Sequence, residues 1–389
     1  MTLRLPNRLL GAALGVVSGI SLTAQADTSA VRLPNPSGPY AVGVSSFVWT
    51  DTGQPEPATP DPDDVRPYAA SVYYPALVDA GTAPRAYFPE LAELQRALTE
   101  QGISGPRDLA SYTDRLATTQ TSAYEDAPPD TSGAPYPVAF FSVGGDMSRH
   151  YHTALAQELA SRGYLLVVVC HPRSGLDVYP GLGLVSRAAY YDEDDERLSR
   201  ALSERLAGDV AFVADRILGG DLAPGGRTAA ALFDTDRVAV IGHSRGARAV
   251  NQLLAGDDRF AVGVRLDGLG PPVADSLALP RPHLTIRTPW PQWPERRAAL
   301  RGLHTRTRPP SYELVLDGAT HFSFSDLVWV APGRFPVSGD PVRLHRRYTS
   351  LLVDYLDAVW AGRGASSAAI NAEYLGDADS LITHGAARE

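Results

Sequence analysis

A serine hydroxyl attacks a carbonyl efficiently only when a base reaches it from an open side, and one stretch of this chain offers such a place. Arg237-Val238-Ala239-Val240-Ile241 is a short β-branched run. It ends in Gly242-His243-Ser244-Arg245-Gly246, and an Ala/Val/Leu-rich helical segment follows at once. The expected geometry is strand, sharp turn, helix, with Ser244 at the apex. Small residues at 242 and 246 suit a turn that lifts the serine clear of a sheet. G-x-S-x-G also occurs on ordinary surface turns; the strand before it and the helix pattern after it make this instance specific.

A base and an acid must join the serine. In an open parallel α/β sheet, functional groups gather at the carboxyl ends of the strands. Asp267 directly follows the apolar run 260–266, and His321 comes a few residues after the run 312–316. The chain order Ser244, Asp267, His321 is that of an α/β-hydrolase triad. In this reading His321 takes the Ser244 proton and returns it to the leaving alcohol, while Asp267 holds the imidazole tautomer. Backbone N–H groups of Gly145 and Arg245 would bind the oxyanion. The Arg245 side chain, if exposed, would bias the entrance toward anionic substrates.

Rivals exist for these roles among nine histidines and many acids. His243 would point into the turn, which makes it a poor base. His171 ends a strand and is the best competing base. Glu295 lies one strand later than Asp267 and is the competing acid. Trp290, Trp293 and Phe322 flank the inferred site, together with Phe324, and are candidates for an aromatic acyl cleft. Packing beneath a lid is an equally good reason for those rings.

The elements that must position these groups follow the chain. Runs 40–44 and 69–75 read as strands, separated by a Pro- and Asp-rich surface loop at 53–64. Residues 89–101 and 109–116 have helical spacing, and a Pro/Ser/Gly-rich linker at 127–137 follows. This excursion, residues 86–133, is either a lid over the site or a cover for a sheet edge. Strand 137–142, glycine loop 143–146, helix 152–162 and strand 164–170 make a βαβ unit, which requires a parallel sheet. Acids at 192–196 open a long helix ending at 218, as the helix dipole favours. Strands at 283–287 and 312–316 and a closing helix at 344–360 complete the pattern. The fold class expected is α/β: an α/β-hydrolase fold with a mostly parallel central sheet, helices on both faces, and a helical excursion before the oxyanion strand.

Composition bounds the rest. Of 389 residues, 44% are hydrophobic and 20% charged, as in globular chains with a sizeable core. A net charge of −9 lacks the basic footprint of a nucleic-acid binder. Residues 1–26 read as an export signal: Arg4 and Arg8, an apolar segment at 9–22, then Ala24-Gln25-Ala26. A secreted or periplasmic location follows from it, and a retained anchor is the alternative. Residues 27–389 are expected to form one catalytic domain with a loose lead-in at 27–39 and a weakly structured tail at 362–389. With a single cysteine, Cys170, no intrachain disulfide and no thiolate metal cluster can form. Asp61, Asp63 and Asp64 lack the glycine and glutamate spacing of a calcium loop, so no metal is assigned.

Several stretches together resemble one family. They include Gly38-Pro39-Tyr40-Ala41-Val42-Gly43, Val72-Tyr73-Tyr74-Pro75, Phe141-Ser142-Val143-Gly144 and Leu159-Ala160-Ser161-Arg162-Gly163-Tyr164. Ala239-Val240-Ile241-Gly242-His243-Ser244, Asp258-Arg259-Phe260, Leu266-Asp267 and Gly318-Ala319-Thr320-His321 continue the match. The chain resembles the plasma and intracellular platelet-activating factor acetylhydrolases and their bacterial relatives. The resemblance implies an α/β-hydrolase fold, no cofactor or metal, and acyl-ester hydrolysis by Ser244, Asp267 and His321, with Gly145 and Arg245 at the oxyanion positions. It also places the acid after the strand that precedes Asp267, against Glu295. The family usually has a histidine where this chain has Val143, and Gly145-Asp146 replaces a larger residue and glycine. The excursion has its own sequence, so a phospholipid preference does not carry over.

The function expected is an exported serine esterase acting on short or oxidised acyl esters, including sn-2 phospholipid acyl groups. Its partner would be a small or lipid ester, with transient contact at a membrane surface. The alternatives are a hydrolase of polyesters or aromatic esters, cutinase-like or dienelactone-hydrolase-like, and a non-catalytic hydrolase-fold binder.

Overall fold

Alternation along the central strands explains how the layers form. In the strand Tyr136–Ser142, Val138 and Phe140 face one apolar core while Ala139 and Phe141 face another. The strand Phe233–His243 divides Val238 and Val240 from Ala239 and Ile241 in the same way. A strand apolar on both faces must be covered on both, and helices do so here. The computed structural model describes residues 30–56, 59, 61, 63–100, 109–175, 177–186, 196–220, 231–268, 279–307, 311–362 and 380–384.

In chain order the strands are β1 (Ala41–Pro55), β2 (Val65–Ala76), β3 (Ala123–Glu125), β4 (Tyr136–Ser142), β5 (Leu165–Cys170), β6 (Asp177–Tyr179), β7 (Gly183–Val185) and β8 (Phe233–His243). β9 (Val262–Leu266), β10 (His283–Arg287), β11 (Ser311–Val315) and β12 (Ser380–His384) follow. Ten of them form one sheet in the order β12-β11-β10-β9-β8-β4-β5-β2-β1-β3. The run from β11 to β5 is parallel throughout, and β12 and β2 flank it antiparallel. Helices α3 (Thr153–Ser161) and α8 (Pro341–Trp360) cover one face through Leu155, Leu159, Leu352 and Leu356. Helices α4 (Glu196–Leu218) and α5 (Ala247–Gly256) cover the other through Val210, Val213, Val250 and Leu254. This is the α/β-hydrolase fold.

The chain passes from β4 through α3 to β5 on one side, then returns to place β8 on the other side of β4. The carboxyl ends of β4 and β8 therefore flank a topological switch point, where open α/β sheets bind ligands.

Some elements differ from the sequence reading. β1 runs on to Pro55 and β2 begins at Val65, so the loop expected at 53–64 is shorter, and the antiparallel pair extends beyond the apolar stretches. Backbone pairing extends these strands through polar residues that hydrophobic periodicity does not mark. The lead-in is tied down in its described part: Leu33 N–H donates to the Gln120 carbonyl, Gln120 N–H donates to the Val31 carbonyl, and Ser37 donates to Glu158. The tail contributes β12, an edge strand on β11, where a loose tail was expected. Three short elements carried no periodic signal: β3, the β6–β7 hairpin and helix α6 (Pro294–Arg306). The acidic segment 190–195 and the export signal lie outside the described residues.

The excursion contains α1 (Leu91–Glu100) and α2 (Leu109–Thr118), and its β3 pairs with β1 at the sheet edge. It is also pinned at the carboxyl side. Glu90 pairs with Arg149 at 2.8 Å and with His150 at 3.0 Å, and Tyr87 donates to Asp326 at 3.1 Å. The described residues of the excursion are therefore docked, with β3 on the sheet edge. No helix among the described residues is long and apolar enough to cross a membrane.

Candidate active site

Close backbone approach shapes the turn at Ser244. A Cβ on Gly246 would fall 2.1 Å from the Ser142 carbonyl oxygen, and one on Gly242 would fall 2.5 Å from the Gly246 carbonyl oxygen. Only glycine fits where β8, the elbow and the end of β4 meet. Ser244 itself sits at φ 54°, a left-handed conformation, and opens a 3-10 turn that leads into α5. Asp146, Asp267 and Trp290 share that conformation, with φ of 62°, 46° and 49°. Strained non-glycine residues of this kind cost of the order of 1–3 kcal/mol each and persist where the surroundings over-determine them.

Ser244, His321 and Asp267 form one hydrogen-bonded line. His321 Nε2 lies 2.8 Å from Ser244 Oγ, and His321 Nδ1 lies 2.7 Å from Asp267 Oδ2. A carboxylate only accepts, so Nδ1 carries the proton and Nε2 presents its lone pair to the serine. Asp267 is buried, and its second oxygen is fully occupied. Oδ1 accepts from Thr288 N at 2.8 Å, Thr288 Oγ1 at 2.9 Å and Trp290 Nε1 at 2.8 Å. Burial works against the charge on Asp267, but the His321 bond and the Thr288 donors outweigh it and hold the carboxyl below its usual range.

The loop that carries His321 is fixed by its own chemistry and by two buried imidazoles. Thr320 and Ser323 form a reciprocal capping box around the turn His321–Phe324. His243 Nε2 donates to the His321 carbonyl at 3.0 Å, and His152 Nδ1 donates to the Phe324 carbonyl at 3.1 Å. Burial keeps both imidazoles neutral, pushing His152 down to about 3 and His243 well below its ordinary value. His243 is thus a support for the turn that carries His321. His171, the competing base, bonds Ser142 and Asp209 instead, and Glu295 stands exposed in the first turn of α6.

The glycine loop after β4 passes beside the elbow. A Cβ on Gly144 would lie 3.3 Å from Ser244 Cβ, and one on Gly145 only 2.5 Å from the Arg245 guanidinium carbon. The Arg245 side chain therefore lies against Gly145, next to the expected oxyanion donors.

The four aromatic candidates separate. Trp290 is 1% exposed and spends its indole N–H on Asp267. It packs behind Asp267 as a donor to the buried carboxylate, the alternative to an acyl-cleft place, and a contact that periodicity cannot reveal. Phe322 remains half-buried, edge-on to His321 at 5.4 Å and packed on Phe335 at 4.3 Å. Trp293 is half-buried, with Arg296 stacked 4.5 Å above its ring. Phe324 is core. Thr288 was missed by sequence reasoning, although its place just past the end of β10 was a usable signal.

A family model described as platelet-activating factor acetylhydrolase, isoform II, matches residues 25–176 and 226–335. The chain belongs to this family. It is 26% identical to the platelet-activating factor acetylhydrolase of Cavia porcellus over 284 residues, covering 66% of this chain and 60% of that protein. It is 25% identical over 252 residues to a probable 1-alkyl-2-acetylglycerophosphocholine esterase of Arthroderma benhamiae, covering 62% and 59%. The match thus spans about three fifths of those relatives' length. Among solved structures, a ferulic acid esterase from Streptomyces cinnamoneus superimposes with a TM-score of 0.71 at 22% identity, covering 91% of this chain and all of that one. At that identity the likeness speaks for the fold.

Proposed function

We propose that this chain is an exported serine esterase that hydrolyses short or oxidised acyl esters, including sn-2 acyl groups of phospholipids. The observation that carries the reading is the unbroken line Ser244–His321–Asp267 at 2.8 and 2.7 Å, set at the switch point of an α/β-hydrolase sheet. A hydrolase-fold binding protein has no use for that line. Membership of the acetylhydrolase family supports ester chemistry, and the names of its relatives support a lipid or acetyl ester.

The steps follow from the groups present. His321 Nε2 removes the Ser244 proton as Oγ attacks the ester carbonyl, and Asp267 stabilises the imidazolium. The N–H groups of Gly145 and Arg245 receive the oxyanion; one such donor is worth about 10²–10³ in rate. Collapse expels the alcohol, which takes its proton from His321. Water, deprotonated by the same imidazole, then frees the acid from the acyl-enzyme.

The half-buried rings of Phe322 and Phe335 beside His321 favour a second reading, an esterase for bulky aromatic acyl groups. Nitrophenyl esters of increasing acyl length, phospholipids with short sn-2 chains, and a feruloyl ester separate the two. A steep fall beyond short chains supports the first reading, and highest kcat/KM on the feruloyl ester supports the second. A fluorophosphonate probe should label the wild type and not Ser244→Ala; labelling of the alanine variant would remove Ser244 as nucleophile.

A further inference from the structure

A second serine-histidine-aspartate line lies inside the molecule, closed to any substrate. Ser142 Oγ is 2.7 Å from His171 Nε2, and His171 Nδ1 is 3.0 Å from Asp209 Oδ2. Arg66 grips both oxygens of Asp209 at 3.0 and 3.1 Å and reaches Glu56 at 3.1 Å. Arg173 approaches Glu56 from the outside at 3.8 Å. Ser142, His171, Asp209, Arg66 and Glu56 are all buried. Burial alone would raise the Asp209 carboxyl, but Arg66 and His171 hold it below the usual range, so it is an anion. A buried carboxylate accepts from the imidazole, which fixes the proton on His171 Nδ1 and turns Nε2 toward Ser142.

Ordering five polar side chains from β4, α4, β2 and the residues just past the ends of β5 and β1 is expensive to fold, and apolar residues of similar size often serve as well. The position of Ser142 suggests what the arrangement does. It is the last residue of β4, and the oxyanion loop begins at the next residue. Its backbone carbonyl abuts Gly246 of the elbow, 2.1 Å from where a Cβ would stand. Its hydroxyl is held from the other side by His171. The far end of the loop is held by the segment that His171 starts. Asp146 N–H donates to the Ser174 carbonyl at 3.0 Å, and Ser174 N–H donates to the His171 carbonyl at 3.1 Å. Gly175 packs so closely on Asp146 that a Cβ there would sit 2.9 Å from its carbonyl carbon. Both ends of residues 142–146 are thus referenced to one residue, His171: Ser142 through its imidazole and Asp146, by way of Ser174, through its backbone carbonyl.

We propose that the buried chain Ser142–His171–Asp209–Arg66–Glu56 is a positioning relay that sets the oxyanion loop against Ser244. This rests on the esterase reading of Ser244, and the residues named are positioning residues that touch no substrate. Catalytic hydrogen bonds need placement within about 0.5 Å to be effective. Loss of the relay therefore weakens transition-state binding while leaving ground-state binding in place.

Ser142→Ala tests this with the least disturbance, because it leaves every buried charge paired. Steady-state kinetics on a short nitrophenyl ester would be measured together with inhibition by a trifluoromethyl ketone, whose adduct on Ser244 places an oxyanion in the hole. The expected kcat falls by about tenfold, short of the roughly 10²–10³ for losing a donor outright. KM stays within about twofold, and ketone affinity falls in parallel with kcat. A kcat and ketone affinity both within about twofold of wild type would overturn the proposal, whatever the thermal midpoint does. If Ser142→Ala gives no soluble protein, Ser142→Cys, similar in shape with a much weaker donor, is judged by the same two numbers. Ser244→Ala is run alongside: hydrolysis that survives there refutes the esterase reading, whereas hydrolysis lost there but normal in the Ser142 variants refutes the relay alone.

Discussion

Replacing Trp290 with phenylalanine asks whether this ring belongs to the substrate or to the acid. The indole N–H is one of three donors on Asp267 Oδ1, at 2.8 Å, in a place where no water can substitute because Trp290 and Asp267 are both buried. A hydrogen bond to a charged group contributes about 1.5–3 kcal/mol. Thr288 still supplies two donors to the same oxygen, so the loss from Trp290→Phe should fall at the low end, about 1.5 kcal/mol. Part of that appears as stability and part as a less well held imidazole. The expected result is a lower urea midpoint with an unchanged slope, and a kcat reduced about three- to tenfold. KM and the preference among acyl lengths should not change. Thr288→Val strips a different donor from the same oxygen and should move kcat in the same direction, which separates lost donation from lost ring volume. The reasoning is refuted if Trp290→Phe leaves kcat intact and alters KM for long or aromatic acyl groups, for then the ring lines the cleft.

Gly145→Ala should lower kcat, since its Cβ would meet the Arg245 guanidinium at 2.5 Å; because that neighbour is a flexible side chain, adding Arg245→Ala should restore part of the rate, and no recovery would mean that the loop backbone itself had moved. Asp326 accepts from Thr153 N, Ala154 N and Tyr87, yet burial outweighs these donors and pushes its carboxyl up to about 7. The folded protein thus binds a proton that the unfolded chain releases near the ordinary carboxylate value, so stability from this group is present at low pH and is lost as pH rises toward 7. Asp326→Asn, a neutral isostere, should flatten the pH dependence of the melting midpoint between about pH 4 and 7; an unchanged profile would place the titration elsewhere.

The parts of the molecule that were legible in the sequence are those governed by local pattern. Residues 138–141, 165–170 and 238–241 are apolar runs bounded by turn residues, which read as buried strands, and each is one. The Gly242–Gly246 spacing showed an elbow because backbone crowding there admits nothing larger than hydrogen at two positions. Strand-end placement then brought Asp267 and His321 to attention, since a parallel sheet exposes its carboxyl ends. β12 and the β6–β7 hairpin were not legible: β12 is held by a partner strand distant in sequence, and the three-residue strands of the hairpin are too short to show a period.

The supporting groups of the site belong to the same second class. Thr288, Trp290, His243 and His152 hold Asp267 and the His321 turn through bonds that span 21 to 172 residues of chain. The sequence by itself determined the central strands, the elbow and the placing of Ser244, Asp267 and His321 at strand ends, because those depend on side-chain periodicity and local sterics. Only the tertiary structure decided that Trp290 donates to Asp267 and that His171 faces Ser142. Those outcomes depend on which buried donor meets which buried acceptor, a matter of three-dimensional approach that no local spacing encodes.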